Sequence, residues 1–236
     1  MRALVSYHLQ EKIATITMDD GKANVVSVPM QAELNAAFDQ AVKDKAVVVL
    51  TGRDGFFSAG FDLKALYAGG DDALKMLTGG FRLAQRLLSF PRPVVIACSG
   101  HALAMGVFLL LCGDYRIGAD GPYKIGANEV AIGLSMPRAA VEICRDRLTP
   151  AHFNRSVLNA NIYRPMEAVA AGFLDKVVLK EELQMGAHQV ASEYARLNMP
   201  AYEETKARVR ERLYNKLRTA IGADYADFRV LCNLTQ

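Results

Sequence analysis

Two uninterrupted apolar runs, at residues 46–51 (AVVVLT) and 94–99 (VVIACS), constrain the fold of this chain more than any other feature. An apolar run of this length without alternation predicts a strand that is buried on both faces, as in a parallel sheet. A glycine-bounded turn at residues 52–55 follows the first run, and strand, strand and helix recur about every fifty residues. This spacing differs from a plain βαβ alternation. It predicts an α/β fold in which stacked ββα turns wind as a short superhelix, followed by helices.

The remaining patterns fit this scheme. Alternating residues at 3–9 and 13–18 predict two strands joined by a polar turn. Ser27 is a candidate N-cap, with Pro29 in the first turn of the helix that follows. Further strands are expected at residues 114–117, 123–125 and 174–178, with helices at residues 71–90 and 104–112 and mostly helices after residue 136.

The composition is that of an ordinary globular enzyme. The chain has 236 residues, of which 51% are hydrophobic and 22% charged, so one sizeable domain is expected. The formal net charge of +3 is too small to indicate nucleic-acid binding. It suits an anionic small ligand, although proteins without such a ligand often carry it too. The longest apolar stretch, residues 102–112, is too short to span a bilayer.

Cysteine usage indicates the compartment. The four cysteines lie far apart without CxxC spacing: Cys98, Cys112, Cys144 and Cys232. This pattern predicts buried thiols in a reducing environment rather than disulfides or zinc ligands. Strand-like alternation begins at the N-terminus, so no signal or transit peptide is visible. We therefore expect a cytoplasmic protein.

Two segments, residues 57–63 (FSAGFDL) and 100–106 (GHALAMG), each read as a strand that runs through small residues into the first turn of a helix. The first turn of a helix has backbone N–H groups without intrahelical partners. Two such helix starts aimed at one point form an anion hole, which can hold a carbonyl oxygen as it becomes an enolate.

Glu129 is the most informative carboxylate. It stands alone among small and apolar residues, between Gly126 and Gly133. Burial in such surroundings would raise its pKa and make it a competent general base. An equally simple interpretation is a glutamate that caps a helix or faces water, and composition alone favours that one.

Other polar residues near these segments have structural interpretations. Asp62 is expected to cap the helix after Phe61, Asp114 to make a contact in a turn, and a lone His101 to be structural. Ser58 lacks the G-x-S-x-G context of a serine hydrolase. The charged pattern after residue 198 predicts a helix that either faces solvent or packs on another subunit and offers cations to a ligand.

Taken together, these residues resemble the crotonase (enoyl-CoA hydratase/isomerase) superfamily through nearly the whole chain. The segment FSAGFDL is similar to the family's F-x-A-G-x-D-L motif, and the glycine turn at residues 100–106 to its second glycine-rich turn. Three further segments are similar to family motifs: residues 22–27 (KANVVS), 112–117 (CGDYRI) and 165–178 (PMEAVAAGFLDKVV).

The resemblance implies a crotonase-like ββα superhelix with a C-terminal helical trimerisation region. We expect a spiral core at residues 1–198 and a helical region at residues 199–236. The resemblance also implies a homotrimer or a dimer of trimers. Lys206 and nearby arginines are then expected to approach the phosphates of an acyl-CoA substrate.

The resemblance also implies the site. The family's oxyanion hole uses two backbone N–H groups, which here belong to Phe61 and Met105. Met105 stands where the family usually has glycine, so its side chain is expected to narrow the acyl pocket or twist the turn. The residues expected to contact the substrate or its CoA moiety are Ala59, Gly60, Asp62, Leu63 and Phe108. No metal is implied, and no cofactor beyond the coenzyme A of the substrate.

The carboxylates decide the reaction that the resemblance implies. Hydratases similar to this chain activate water with two glutamates, which correspond to Phe108 and Glu129. Because Phe108 is apolar, hydration is disfavoured, and the chain is most similar to the single-glutamate Δ3,Δ2-enoyl-CoA isomerases. The alternatives are a hydratase, a decarboxylase, a thioesterase, or a homologue that binds CoA esters without catalysis.

Overall fold

The computed structural model describes residues 2–233. Its strands are β1 (Val5–Gln10), β2 (Ile13–Met18), β3 (Val47–Gly52), β4 (Gly55–Ser58), β5 (Val94–Cys98), β6 (Gly100–Leu103), β7 (Tyr115–Ala119), β8 (Ile125–Gly126) and β9 (Lys176–Val178). Its helices are α1 (Val28–Lys43), α2 (Leu63–Ala68), α3 (Gly70–Leu88), α4 (Met105–Leu111), α5 (Arg138–Arg147), α6 (Pro150–Val157), α7 (Pro165–Ala171), α8 (Leu183–Ala195) and α9 (Met199–Leu231).

The strands form two sheets. The larger has the order β1-β2-β3-β5-β7-β9, and the smaller has the order β4-β6-β8. Only β1 and β2 pair antiparallel; the other pairs within residues 2–233 are parallel. Three successive strand pairs, β3 with β4, β5 with β6 and β7 with β8, each place one strand in each sheet. This arrangement confirms the predicted superhelix of ββα turns.

The two apolar runs lie at the centre of the larger sheet. Strands β3 and β5 are adjacent and fully buried, as their lack of alternation predicted. Helix α1 begins where predicted, because the Ser27 hydroxyl accepts a hydrogen bond from the Met30 amide. The strand predicted at residues 123–125 is instead β8, and the one predicted at residues 174–178 is limited to β9.

Helix α9 starts at Met199, where the C-terminal region was predicted to begin, and packs against α5 and α3. The division into two regions at this residue stays a prediction. All four cysteines are buried free thiols, as expected. Among residues 2–233, no helix is long and apolar enough to cross a membrane.

Candidate active site

The two glycine turns lie against each other because β4 and β6, which lead into them, are parallel neighbours. Gly60 has a φ of +94°, in the left-handed region that favours glycine. A Cβ atom at Gly60 would lie 2.7 Å from the Cβ of Ala104 and 3.1 Å from the amide nitrogen of Met105. Glycine is therefore required here by both conformation and space.

The backbone amides of Phe61 and Met105 both lie close to this contact, because Phe61 directly follows Gly60 and Met105 directly follows Ala104. Phe61 precedes α2, and Met105 is the first residue of α4. Neither amide donates a hydrogen bond to another residue in the part of the chain that the structure describes. Backbone N–H groups without partners near the start of a helix can stabilise a negatively charged oxygen toward which they point. Their role as an oxyanion hole stays a prediction.

The side chain of Met105 is not among the residues that line the cavity, and its effect on the width of the acyl pocket stays a prediction. It is fully buried, and its sulfur lies 3.4 Å from where a Cβ on Gly80 of α3 would be. The unusual backbone belongs to the preceding residue, Ala104, with φ 50° and ψ −129°. The backbone strain in this turn therefore lies at Ala104, one residue before Met105, which is the position that departs from the family pattern.

Glu129 is buried, with 7% of its surface exposed. It follows β8 and begins the short 3-10 turn at Val130–Ile132, where its side chain makes no capping hydrogen bond. Its Oε2 atom has no hydrogen-bond partner within residues 2–233. Burial raises the pKa of the carboxyl group from 4.5 to about 7. The capping interpretation is thus wrong, and the group is suited to take up and release a proton near neutral pH.

A cavity of about 440 Å³ opens in front of Glu129. Five of the predicted site residues line it: Ala59, Phe61, Leu63, Phe108 and Glu129. The other three predicted residues, Gly60, Asp62 and Met105, do not line it. The backbones of Gly60 and Met105 form the contact between the two glycine turns.

Several lining residues were not predicted from the sequence. Phe81 of α3 lies between Phe108 and Phe228, with ring centroids 6.1 and 6.0 Å away. Phe228 comes from the last turns of α9, so the C-terminal helix of the same chain completes the apolar wall. Asn128 also lines the cavity. Asn128 directly precedes Glu129 in the sequence, and this adjacency is the signal from which its place in the cavity lining could have been predicted.

Three polar residues near the glycine turns have structural roles, which the sequence predicted for Asp62 and His101 but not for Ser58. The Asp62 carboxylate caps α2 by accepting hydrogen bonds from the amides of residues 64 and 65, at 2.9 and 3.3 Å. The Ser58 hydroxyl donates to the carbonyl of Asn24 at 2.6 Å and accepts from the Gly60 amide at 3.2 Å, which holds the first glycine turn in place. His101 Nδ1 accepts from the backbone amide of Lys124 at 3.0 Å.

Lys206 is not available to CoA phosphates in this subunit, which corrects that expectation. Its ammonium group is buried and lies 2.6 Å from the Asp114 carboxylate. Arg210 is also buried and lies 3.6 Å from both Asp114 and Asp146. Asp114 in turn accepts from the Val94 amide at 2.8 Å. This cluster therefore fastens α9 to the start of β5.

Two other carboxylates line the cavity, and both interact with residues at the start of α5. Asp224 is 1% exposed and accepts from the backbone amides of Arg138 and Ala139 at 2.9 and 2.8 Å, at the start of α5. Asp227 forms an ion pair with Arg138. Among the described cavity residues, Glu129 is thus the carboxylate without a structural partner. No group of three or more His, Cys, Asp or Glu side chains among residues 2–233 is placed to hold a metal ion.

A buried carboxyl group with a raised pKa, two backbone amides without partners and an apolar cavity are chemically suited to proton transfer beside a carbonyl oxygen that gains charge. Residues 8–234 match the model of the enoyl-CoA hydratase/isomerase family. The chain therefore belongs to this family, as its motifs indicated.

Individual relatives share the fold and most of the length. The chain is 49% identical to an enoyl-CoA hydratase/isomerase family protein from Pseudomonas syringae, with a TM-score of 0.93 over 94% of this chain and 97% of that one. It is 46% identical to a probable enoyl-CoA hydratase from Mycobacterium tuberculosis, with a TM-score of 0.94 over 98% of each chain. It is 29% identical to human mitochondrial enoyl-CoA delta isomerase 1, over 96% of this chain and 77% of the human protein.

Proposed function

We propose that this acyl-CoA-binding enzyme is a Δ3,Δ2-enoyl-CoA isomerase, which shifts a double bond along the acyl chain of a CoA thioester. The observation that carries the proposal is the single free carboxylate. Glu129 is buried with an unpartnered oxygen, and the cavity wall has Phe108 where hydratases of the family have a second glutamate. The similarity to human enoyl-CoA delta isomerase 1 supports the same reaction.

In the proposed reaction, Glu129 removes a proton from C2 of a 3-enoyl-CoA. The electron pair of the broken C–H bond forms a double bond between C1 and C2, and the π electron pair of the carbonyl group moves to the thioester oxygen. The C3–C4 double bond is conjugated with the new one, so the intermediate is a dienolate. The amides of Phe61 and Met105 donate hydrogen bonds to that oxygen; each donor of this kind lowers a barrier by about 2.7–4 kcal/mol. Glu129 then returns the proton at C4, and the double bond lies between C2 and C3. The apolar walls keep water from exchanging with the proton.

Hydration is the second candidate, because one close structural relative is described as a probable enoyl-CoA hydratase. Phe108 weighs against it. A water molecule needs two to four polar partners to be held in place, and a phenylalanine offers none. Decarboxylation, thioester hydrolysis and binding without catalysis are the remaining alternatives.

The test is to incubate the purified protein with 3-enoyl-CoA, 2-enoyl-CoA and saturated acyl-CoA thioesters and to determine product masses. Isomerisation gives a 2-enoyl product of unchanged mass from the 3-enoyl substrate. A mass gain equal to water supports the hydratase and contradicts the proposal. Binding of CoA esters without turnover of any substrate supports a non-catalytic homologue.

For the assembly, we propose a homotrimer or a dimer of trimers that works in the cytoplasm with no cofactor beyond the coenzyme A of its substrate. Large apolar side chains on the outer helices support an assembly, since Met185 of α8 and Val209 of α9 are 70% and 72% exposed. Light scattering coupled to size-exclusion chromatography measures the mass. A monomer at micromolar concentration would contradict the proposal.

A further inference from the structure

Gly80 is buried in the middle of α3, where glycine is an unfavourable residue. Glycine inside a helix is less stable than alanine, because its backbone loses more conformational freedom on folding. The packing around it explains why glycine stands here. A Cβ atom on Gly80 would lie 2.5 Å from two ring atoms of Phe61, Cε1 and Cζ. The edge of the Phe61 ring therefore rests directly on the backbone of α3.

The Phe61 ring has a protein side and a cavity side. Gly80 lies on its protein side, together with the fully buried Met105, whose sulfur lies 3.4 Å from the same Cβ position. Phe81 packs edge-on against the ring, with the two centroids 6.3 Å apart. On the other side the ring lines the cavity that Glu129 also lines. The space available to a displaced ring is therefore the cavity.

A side chain on residue 80 would force such a displacement. Carbon atoms in contact are normally about 3.5–4.0 Å apart, so a methyl group at this position would push the ring by about 1 Å or more. Helix α3 is held in place from α1, because the buried Gln31 side chain donates to the Met76 carbonyl at 2.8 Å. Closely packed interiors transmit strain to the nearest empty space. The ring would move into the cavity and narrow it.

We infer that Gly80 is a specificity-determining residue. Its missing side chain leaves room for the Phe61 ring against α3, which keeps the cavity wide enough for acyl chains longer than an acetyl group. This inference rests on the acyl-CoA part of the proposed function and not on the double-bond shift. It also gives the Phe61 side chain a role that is separate from the role proposed for its backbone amide.

The experiment measures dissociation constants of acetyl-CoA and octanoyl-CoA by calorimetry, since these saturated ligands do not depend on turnover. Gly80→Ala is compared with the wild type and with the control Gly222→Ala, a helix glycine of α9 whose Cβ would meet no atom within 4 Å. Gly80→Ala is also made in a Phe61→Leu background, because leucine lacks the two ring atoms that the methyl group would meet. Crystal structures of the wild type and Gly80→Ala locate the ring.

We expect Gly80→Ala to bind octanoyl-CoA about 10- to 60-fold more weakly, the effect of excluding two or three methylene groups from an apolar pocket. Its affinity for acetyl-CoA should not change, and Gly222→Ala should bind both ligands as the wild type does. In the Phe61→Leu background, Gly80→Ala should have no further effect on octanoyl-CoA. The crystal structures should show the ring displaced into the cavity.

Three results would overturn the inference about Gly80 alone: equal weakening for both ligands, a loss that persists in the Phe61→Leu background, or a ring that has not moved. A wild type that binds neither ligand would overturn the acyl-CoA function and, with it, the predicted preference for chain length.

Discussion

Replacing Glu129 by glutamine tests the catalytic base and the physical reason for its unusual pKa in one variant. Glutamine keeps the shape of the side chain and removes its ability to take up a proton. General-base catalysis contributes about 10²- to 10⁴-fold to a rate, so we expect isomerisation to fall by at least about 100-fold. Binding of a saturated acyl-CoA should survive. In the wild type, kcat/KM should rise with pH through a midpoint near 7, because the base must be unprotonated.

The same pKa predicts a change in stability. Burial raises the pKa of Glu129 from 4.5 to about 7, so between these values the folded state holds a proton that the unfolded state has released. Raising the pH through this window therefore favours unfolding, and above pH 7 the loss is complete. A tenfold change in proton affinity corresponds to about 1.4 kcal/mol, which gives a total of about 3 kcal/mol. Glutamine cannot lose a proton, so the variant escapes this loss.

Urea unfolding of both proteins at pH 5 and pH 8 measures the effect. The free energy of unfolding of Glu129→Gln should gain about 2–3 kcal/mol relative to the wild type between these two pH values. The control is Glu211→Gln, at an exposed position on α9, which should leave turnover unchanged. A stability difference that stays constant with pH would refute the buried carboxyl group. Normal turnover by Glu129→Gln would refute its role as the base.

Three further substitutions test the scaffold of the site. Gly60→Ala should lower the free energy of unfolding by about 1–3 kcal/mol in urea titrations and reduce turnover, because its φ of +94° and the nearby Ala104 leave no room for a Cβ. Ala104→Gly should instead raise the stability by about 1 kcal/mol by relieving a φ of 50°; a lower denaturation midpoint would contradict the strain. Asp114→Asn should cost about 3–5 kcal/mol, since it leaves the buried Lys206 without its charge partner. Replacing both by neutral residues should recover most of that loss in guanidinium unfolding.

Features set by neighbouring residues were predictable from the sequence. The apolar runs of β3 and β5 lack alternation because both faces of these strands are covered, and burial on both faces is what an unbroken run predicts. The Ser27 cap and the Asp62 cap depend on hydrogen bonds to amides two or three residues away. The isolation of Glu129 among apolar neighbours also predicted the direction of its pKa.

Features that join distant parts of the chain were not predictable in this way. Phe228 reaches the cavity because α9 folds back over α3, nearly 150 residues away in sequence from Phe81. Lys206 was expected to approach the phosphates of an acyl-CoA, but it is buried against Asp114, which lies 92 residues earlier in the sequence. Periodicity shows that a residue is on one face of a helix, and it does not show what covers that face.

The choice between reactions in this fold depends on packing as much as on the identity of one side chain. Phe108 is 1% exposed and stacks on Phe81, which in turn stacks on Phe228. A glutamate at position 108 would place a second carboxylate in this aromatic cluster, and burying a charge among aromatic rings is unfavourable unless it gains a partner. Three phenylalanines from α3, α4 and α9 therefore form part of the apolar wall of the cavity that Glu129 lines. In the proposed reaction the backbone amides of Phe61 and Met105 bind the developing charge without any side chain, so the side chains of the cavity wall determine whether water can enter.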